Sequence, residues 1–233
     1  MDVLGKNIKV QESFLYLLWK SVIDRLLALL VLIFLSPLVA IIAVLIRLDS
    51  PGSPIFRQER VGENGRRFAL YKFRTMFVDN DDSEYREYVR SLITGGVPYK
   101  TQQNGRPVYK IDDDARVTRL GEFLRRTNLD ELPQLLNVLK GEMSCVGPRP
   151  DTPFAIEMYQ DWHLNRLSAI PGITGLWQVS DRSSLTFDEM VRLDIQYINN
   201  WSPLLDCRIL LLTARVILAR DGSHRGGKER DDG

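Results

Sequence analysis

Residues 26–46 read LLALLVLIFLSPLVAIIAVLI, twenty-one consecutive positions without a charged side chain. A straight helix of that length covers roughly 31 Å at about 1.5 Å per residue, which matches the hydrocarbon thickness of a bilayer. A cleaved secretory signal fits poorly, because the run begins after 25 residues and is followed by Arg47-Leu48-Asp49 rather than by small residues. Ser36-Pro37 stands near its centre, and a proline there removes a backbone donor and crowds the preceding turn, so a kink is expected. Each arm of about ten residues, roughly 15 Å, can enter a bilayer and return but not cross it. Lys20 and Arg25 flank one end and Arg47, Arg57, Arg60, Arg66 and Arg67 the other, so charge bias does not separate the two sides. A kinked anchor that spans the membrane therefore stays open beside the re-entrant form.

Outward from this segment, ESFLYLLW at 12–19 forms an amphipathic lead-in with Trp19 at headgroup depth. Near the other end DCRILLLTARVILAR at 206–220 is apolar almost all round except for Arg208, Arg215 and Arg220. Such a helix suits the membrane interface with its arginines snorkelling outward, and suits a protein core equally well. From Asp221 onward the polar tail is expected to be disordered.

The whole chain has 233 residues with 31 Lys+Arg against 30 Asp+Glu. Near neutrality removes the bulk electrostatic case for nucleic acid binding. Two cysteines and two histidines are too few for a disulfide scaffold or a closed Cys/His zinc site.

The part between the apolar segments, residues 50–205, mixes helix and strand patterns. IFRQERVG and RRFALYKFRTM lie on either side of Glu63-Asn64-Gly65 and predict a hairpin. The polar stretch 79–109 contains a helical piece near 82–93 and otherwise reads as a mobile loop. In LDELPQLLNVLKGEM at 129–143, Leu132, Leu135, Leu136 and Leu139 make one helical stripe that Lys140-Gly141 ends. Pro133 fits only the first turn of that helix, so Asp130 is expected as its N-cap and Glu131 as a favourable early charge. In GPRP at 147–150, two prolines hold the chain extended around Arg149, ready for a phosphate, a carboxylate or a helix C-terminus. Thr186-Phe187-Asp188-Glu189 is a capping box that opens a helix to about Asn200. Asp194 shares the inner face of that helix with Phe187, Val191 and Ile198, and a buried aspartate needs a partner, most simply an arginine.

Chemistry falls to carboxylates, because only His163 lies in the folded part and no nucleophile–histidine set is evident. Asp112-Asp113-Asp114 and Asp130-Glu131 are the candidates, with Lys72, Arg74, Arg116, Arg119, Arg125, Arg126, Arg149 and Arg182 among the surrounding cations. Carboxylates suited to a hard divalent cation, mixed with arginines suited to phosphate, point to phosphoryl transfer.

The Ser36-Pro37 break, KFRTM at 72–76, LDELPQLLNVLKGEM at 129–143, VGPRP at 146–150 and PGITGLWQVS at 171–180 together resemble the bacterial sugar transferases that begin exopolysaccharide or O-antigen assembly, the monotopic phosphoglycosyl transferases. The resemblance covers roughly residues 20–220 and is to the small form. It implies an α+β fold, mostly helical with a small β-hairpin or sheet, a re-entrant membrane helix and interfacial helices. Residues 1–49 would form the lead-in and membrane helix, 50–220 the cytosolic catalytic domain and 221–233 the tail. The implied reaction moves a sugar 1-phosphate from a UDP-sugar to undecaprenyl phosphate with Mg²⁺ and releases UMP. Asp130 would be the nucleophile, Glu131 would help bind the metal or handle protons, and both would be metal ligands. Lys72, Arg74 and Arg149 would bind phosphates, and Gln178 and Arg182 the nucleotide sugar. The resemblance also implies the inner membrane, a cytosolic face and a homodimer, and LWQ at 176–178 leans toward glucose or galactose. Two positions depart from the pattern, Asp181 where glycine is usual and Ala115 where proline is usual. Two other readings stay open: a membrane-anchored glycosyltransferase that holds UDP-sugar through Asp112-Asp113-Asp114 and releases UDP, and a non-enzymatic membrane adaptor in which Asp130 only caps a helix.

Overall fold

A computed structural model describes residues 14–78, 83–95, 100, 101, 107, 108, 114, 116–180 and 185–223. The apolar run sits in one long helix, α1 (Phe14–Asp49). The break expected at Ser36-Pro37 does not interrupt it, for a local reason. Pro37 lacks the N–H that would bond the Ile33 carbonyl four residues back, and the Ser36 hydroxyl donates to that same carbonyl at 2.8 Å. The helix therefore passes through the proline with its freed acceptor filled.

α1 lies against the rest of the chain along one stripe. Asp24, Ala28, Ile42 and Ile46 are buried, while Leu30, Ile33, Phe34, Ile41 and Val44 are exposed. Ala28 packs into a core with Val138, Met143, Cys145 and Tyr197. Ile42 and Ile46 pack with Phe73 and Leu124 in a second core. Both arms of the helix thus rest on one domain.

The predicted hairpin is present as β1 (Ile55–Val61) and β2 (Arg67–Phe73), antiparallel from Ile55↔Phe73 to Val61↔Arg67. Its turn puts Asn64 at φ 53° and Gly65 at φ 76°, the left-handed region that asparagine and glycine tolerate. A short antiparallel pair joins β3 (Lys100–Thr101) to β4 (Pro107–Val108). A parallel pair joins β5 (Ser144–Val146) to β6 (Gly172–Thr174). Everything else regular among the described residues is helical: α2 (Ser83–Thr94), α3 (Arg119–Thr127), α4 (Leu135–Lys140), α5 (Pro153–Ile156), α6 (Leu176–Val179), α7 (Phe187–Asn200) and α8 (Pro203–Ser223), with 3₁₀ segments at Leu129–Gln134 and Asp161–Ser168. The architecture is the expected mostly helical α+β type with small sheets.

The capping box of α7 forms, with Thr186 accepting from the Glu189 N–H and Glu189 reaching back to Thr186. α8 is buried on one side and exposed on the other. Ile209 is fully buried and Thr213 bonds Thr174 at 2.7 Å, while Leu204, Leu211, Arg208 and Arg215 are exposed. It also runs to Ser223, so Asp221–Ser223 are helical rather than part of a tail. Residues 224–233 lie outside the described residues.

Candidate active site

The loop after α3 decides where the acidic pair sits. Asn128 turns the chain with φ 56° and closes α3, and Leu129–Gln134 follows as a 3₁₀ segment with Pro133 inside it. α4 begins only at Leu135, so Asp130 is not the expected N-cap and makes no capping hydrogen bond. A proline placed five residues after Asn128 favours the tighter 3₁₀ turn before the α-helix proper. The 3₁₀ segment packs against β2, which brings the dyad beside Lys72.

Glu131 is the hub of the site. Lys72 Nζ stands 3.0 Å and Arg149 Nη2 2.7 Å from the same oxygen, Oε1, and no hydrogen bond reaches Oε2 among the described residues. Burial alone would raise this carboxyl, but Arg149 and Lys72 hold it far below the ordinary glutamate range. Lys72 itself is pulled down by burial against the opposing Glu131 charge. Arg149 is held up, chiefly by Glu131.

Asp130 is different. It is 8% exposed, and its carboxylate takes no hydrogen bond or ion pair among the described residues. Burial pushes its carboxyl up to about 6, against the pull of Lys72, Arg125 and Arg149. The two neighbouring carboxyls are thus driven apart, one firmly ionised and clamped, the other ionising near neutrality with its oxygens uncommitted.

Arg125 belongs to this site although its sequence position gave it no more weight than its neighbours. Its Nε donates to Thr75 Oγ1 at 2.8 Å, its terminal nitrogens have no partner among the described residues, and its charge acts on Asp130. The available signal was spacing, since Arg125 precedes Asp130 by one hairpin-like turn through Asn128.

Other expected site residues lie elsewhere or are otherwise engaged. Arg74 donates to the carbonyls of Pro51, Ser50 at 2.6 Å and Ile46 at 3.3 Å, closing the C-terminal end of α1. Its guanidinium is spent on backbone, where the last carbonyls of a helix need donors. Gln178 on α6 is buried and donates to the carbonyl of Ile173 on β6 at 3.2 Å. Arg182, Asp181 and Ala115 lie outside the described residues, as do Asp112 and Asp113. Asp114 is bound by Arg116 through both Nε and Nη2 at 2.8 Å.

A buried carboxylate with no partner among the described residues thus stands next to a clamped one, near three cations and beside a helix long and apolar enough to enter a membrane. The chain matches the bacterial sugar transferase family profile over residues 15–220 and belongs to that family. It is 48% identical over 173 residues to the galactosyl transferase CpsE of Streptococcus agalactiae, covering 74% of this chain and 36% of that protein. It is 39% identical over 205 residues to the exopolysaccharide production protein ExoY of Sinorhizobium fredii, covering 88% of each. The undecaprenyl-phosphate galactose phosphotransferase of Salmonella typhimurium is 39% identical over 205 residues, 88% of this chain and 41% of that one. The chain thus spans about two fifths or less of the first and third of these relatives and most of the second.

Proposed function

We propose that this protein transfers a sugar 1-phosphate, with glucose or galactose as the sugar, from a UDP-sugar to undecaprenyl phosphate and releases UMP, the first membrane step of exopolysaccharide or O-antigen synthesis. The observation that carries the proposal is the uncommitted carboxylate of Asp130 beside a Glu131 that already holds Lys72 and Arg149. Membership of the family supports the reaction class, as do relatives named for galactose phosphotransfer and, in Xanthomonas campestris, for UDP-glucose:undecaprenyl-phosphate glucose-1-phosphate transfer.

Asp130 attacks the β-phosphorus of the UDP-sugar through one carboxylate oxygen. The bond from that phosphorus to the bridging oxygen breaks, the bridging oxygen leaves with UMP, and the sugar 1-phosphate stays on Asp130 as an acyl phosphate. An oxygen of undecaprenyl phosphate then attacks the same phosphorus, and the Asp130 carboxylate is the leaving group. Lys72, Arg149 and Arg125 supply positive charge where the transferred phosphoryl group and the leaving UMP carry negative charge. Burial around Asp130 keeps water from competing for the acyl phosphate.

The residues fit Mg²⁺. Asp130 and the open Oε2 of Glu131 offer two carboxylate oxygens, and no group of three or more His, Cys, Asp or Glu gathers among the described residues. A magnesium ion that keeps its waters and takes one or two carboxylates plus substrate phosphates suits such a pair, whereas an all-protein zinc cage does not. When bound, the ion would neutralise charge on the diphosphate.

We also propose that α1, bending at Pro37 without losing its helical continuity, enters and leaves the membrane on the cytosolic face of the inner membrane. Lys20 bonds Asp206 at 2.5 Å and Asp24 accepts from Ser144 at 2.5 Å on one arm, while Ile42 and Ile46 join the core with Phe73 on the other. A spanning helix would separate those two contact sets by a bilayer of about 30 Å. Cysteine reporters near residues 10 and 60 should both be labelled from the cytosolic side, and labelling from opposite sides would restore the spanning form.

Detergent-purified protein incubated with Mg²⁺, undecaprenyl phosphate and either UDP-glucose or UDP-galactose tests the reaction. Lipid-dependent release of UMP that disappears in Asp130→Asn is expected. Release of UDP instead would shift the assignment to a glycosyltransferase.

A further inference from the structure

Arg149 is flanked by two prolines that have no N–H, so the loop that carries it cannot be anchored by its own donors at those positions. It is held instead by its oxygens. Four consecutive carbonyls accept from separate places: Pro148 from the Gly172 N–H at 2.8 Å, Arg149 from Arg166 Nη2 at 3.1 Å, Pro150 from Arg60 Nη1 at 3.1 Å and Asp151 from the Val61 N–H at 2.8 Å. Two of these four donors are guanidinium groups, and they grip the main chain at Arg149 itself and at the next residue.

Arg166 is 4% exposed and makes more contacts than backbone support requires. Its Nη1 reaches Asp151 Oδ2 at 2.7 Å and the Tyr159 hydroxyl at 2.8 Å, and its Nη2 also reaches Asp194 Oδ2 at 2.5 Å. The Tyr159 hydroxyl donates to the same Asp151 oxygen at 2.5 Å. Asp194, completely buried on α7, therefore anchors the same Nη2 that reaches the Arg149 carbonyl. A planar fork meets all these acceptors at once, which a lysine ammonium on a flexible stem does not. Arg60 is steadied in turn by Gln58, whose Oε1 accepts from Nη2 at 2.6 Å.

We propose that Arg166 and Arg60 are positioning residues for the active site. By gripping the carbonyls of Arg149 and Pro150 they fix where the Arg149 guanidinium meets Glu131 and an incoming phosphate, and Asp194 holds Arg166 in that task. The proposal rests on the phosphotransfer reading given above and adds two residues that touch neither substrate nor Glu131.

The full-length protein in detergent micelles is compared as wild type, Arg166→Lys, Arg60→Lys, Arg149→Lys and the two double variants that include Arg149→Lys. Each is measured for kcat and KM of UMP release from UDP-glucose or UDP-galactose, and for UDP affinity by calorimetry. Arg166→Lys and Arg60→Lys keep the charge and lose the fork. Each should lower kcat by about 10-fold to 100-fold with KM within about threefold, the size expected for a catalytic group misplaced by about 1 Å. In the Arg149→Lys background the same changes should cost less than about twofold, because the group they position is already gone. A merely structural role predicts the opposite, with losses that multiply in full in both backgrounds, and that result or an unchanged kcat in the single variants would overturn the proposal. If Arg166→Lys does not fold, Arg60→Lys decides alone, since Arg60 is only partly buried. Should the wild type release no UMP from any UDP-sugar, the reaction reading fails. The UDP affinities then decide positioning by themselves, with coupling to Arg149 in its favour and independence against it.

Discussion

Arg149 Nη2 lies 2.7 Å from Glu131 Oε1, an oxygen that Lys72 shares at 3.0 Å. One carboxylate thus stores two cations next to an aspartate that has none bound among the described residues. Replacing Glu131 with Gln removes the charge that holds them and should lower UMP release by at least about 100-fold. It should also cost roughly 1–3 kcal/mol of stability, because two partly buried cations lose their acceptor. The linkage has a definite sign. The folded carboxyl is held below its ordinary value, so its stabilisation is complete above the unfolded value of 4.5 and disappears as pH falls through the depressed folded one. Acid unfolding followed by circular dichroism should begin at higher pH in Glu131→Gln than in the wild type, and the variant's stability should depend less steeply on pH below 4.5.

Asp130 works in the other direction. Its carboxyl is raised from 3.8 to about 6 by burial, so the ionised form is less stable in the folded chain than in the unfolded one. That contribution is complete below 3.8 and is lost as pH rises through about 6. The difference corresponds to at most about 3 kcal/mol. Asp130→Asn should therefore unfold at a higher temperature than the wild type in metal-free buffer at pH 8, match it near pH 4, and have no transferase activity. Thermal melts across that range in chelator check it, and equal melting temperatures at pH 8 would contradict the buried, uncommitted carboxylate.

Much of this site was legible because its signals are local. The hairpin announced itself through Glu63-Asn64-Gly65 between alternating runs, and the α7 capping box through four adjacent residues. The need of Asp194 for an arginine followed from its place on the apolar face, and Arg166 meets it. Which arginine goes where was not legible, because that depends on chain segments brought together by the fold. Arg74 lies two residues from Lys72 on the same stretch, yet one closes α1 and the other reaches Glu131, since neighbours separated by one position can still face different surroundings. The expected N-cap at Asp130 failed for a similar reason. Asn128 adopted the left-handed turn and a 3₁₀ segment intervened, so the acid was released from capping.

The parallel pair of β5 and β6 depends on the absence of side chains. A Cβ at Gly172 would stand 2.0 Å from the Gly147 nitrogen, and one at Gly147 would stand 2.5 Å from the Ile170 carbonyl oxygen. Backbone atoms cannot yield as a flexible side chain could. Gly172→Ala should destabilise the protein by about 3 kcal/mol or more. Because the Gly172 N–H also holds the Pro148 carbonyl, the variant that remains folded should lose activity beyond its loss of stability. Chemical denaturation read beside kcat at a permissive temperature separates the two effects, and wild-type stability would refute the close approach.

Ser36 and Pro37 form a compensating pair inside the apolar helix. The Ser36 hydroxyl fills the Ile33 acceptor that Pro37 leaves open, at 2.8 Å, and water is scarce at that depth of a bilayer. Ser36→Ala should therefore cost about 1 kcal/mol of stability in lipid nanodiscs. Pro37→Leu restores an N–H that can reach Ile33, so in that background the serine has nothing left to compensate. The double variant should be at least as stable as Pro37→Leu alone, with the cost of Ser36→Ala falling to near zero. Thermal inactivation half-lives of the four proteins in nanodiscs measure this coupling. An equal cost of Ser36→Ala with and without Pro37 would mean that the hydroxyl acts elsewhere than at the acceptor freed by the proline.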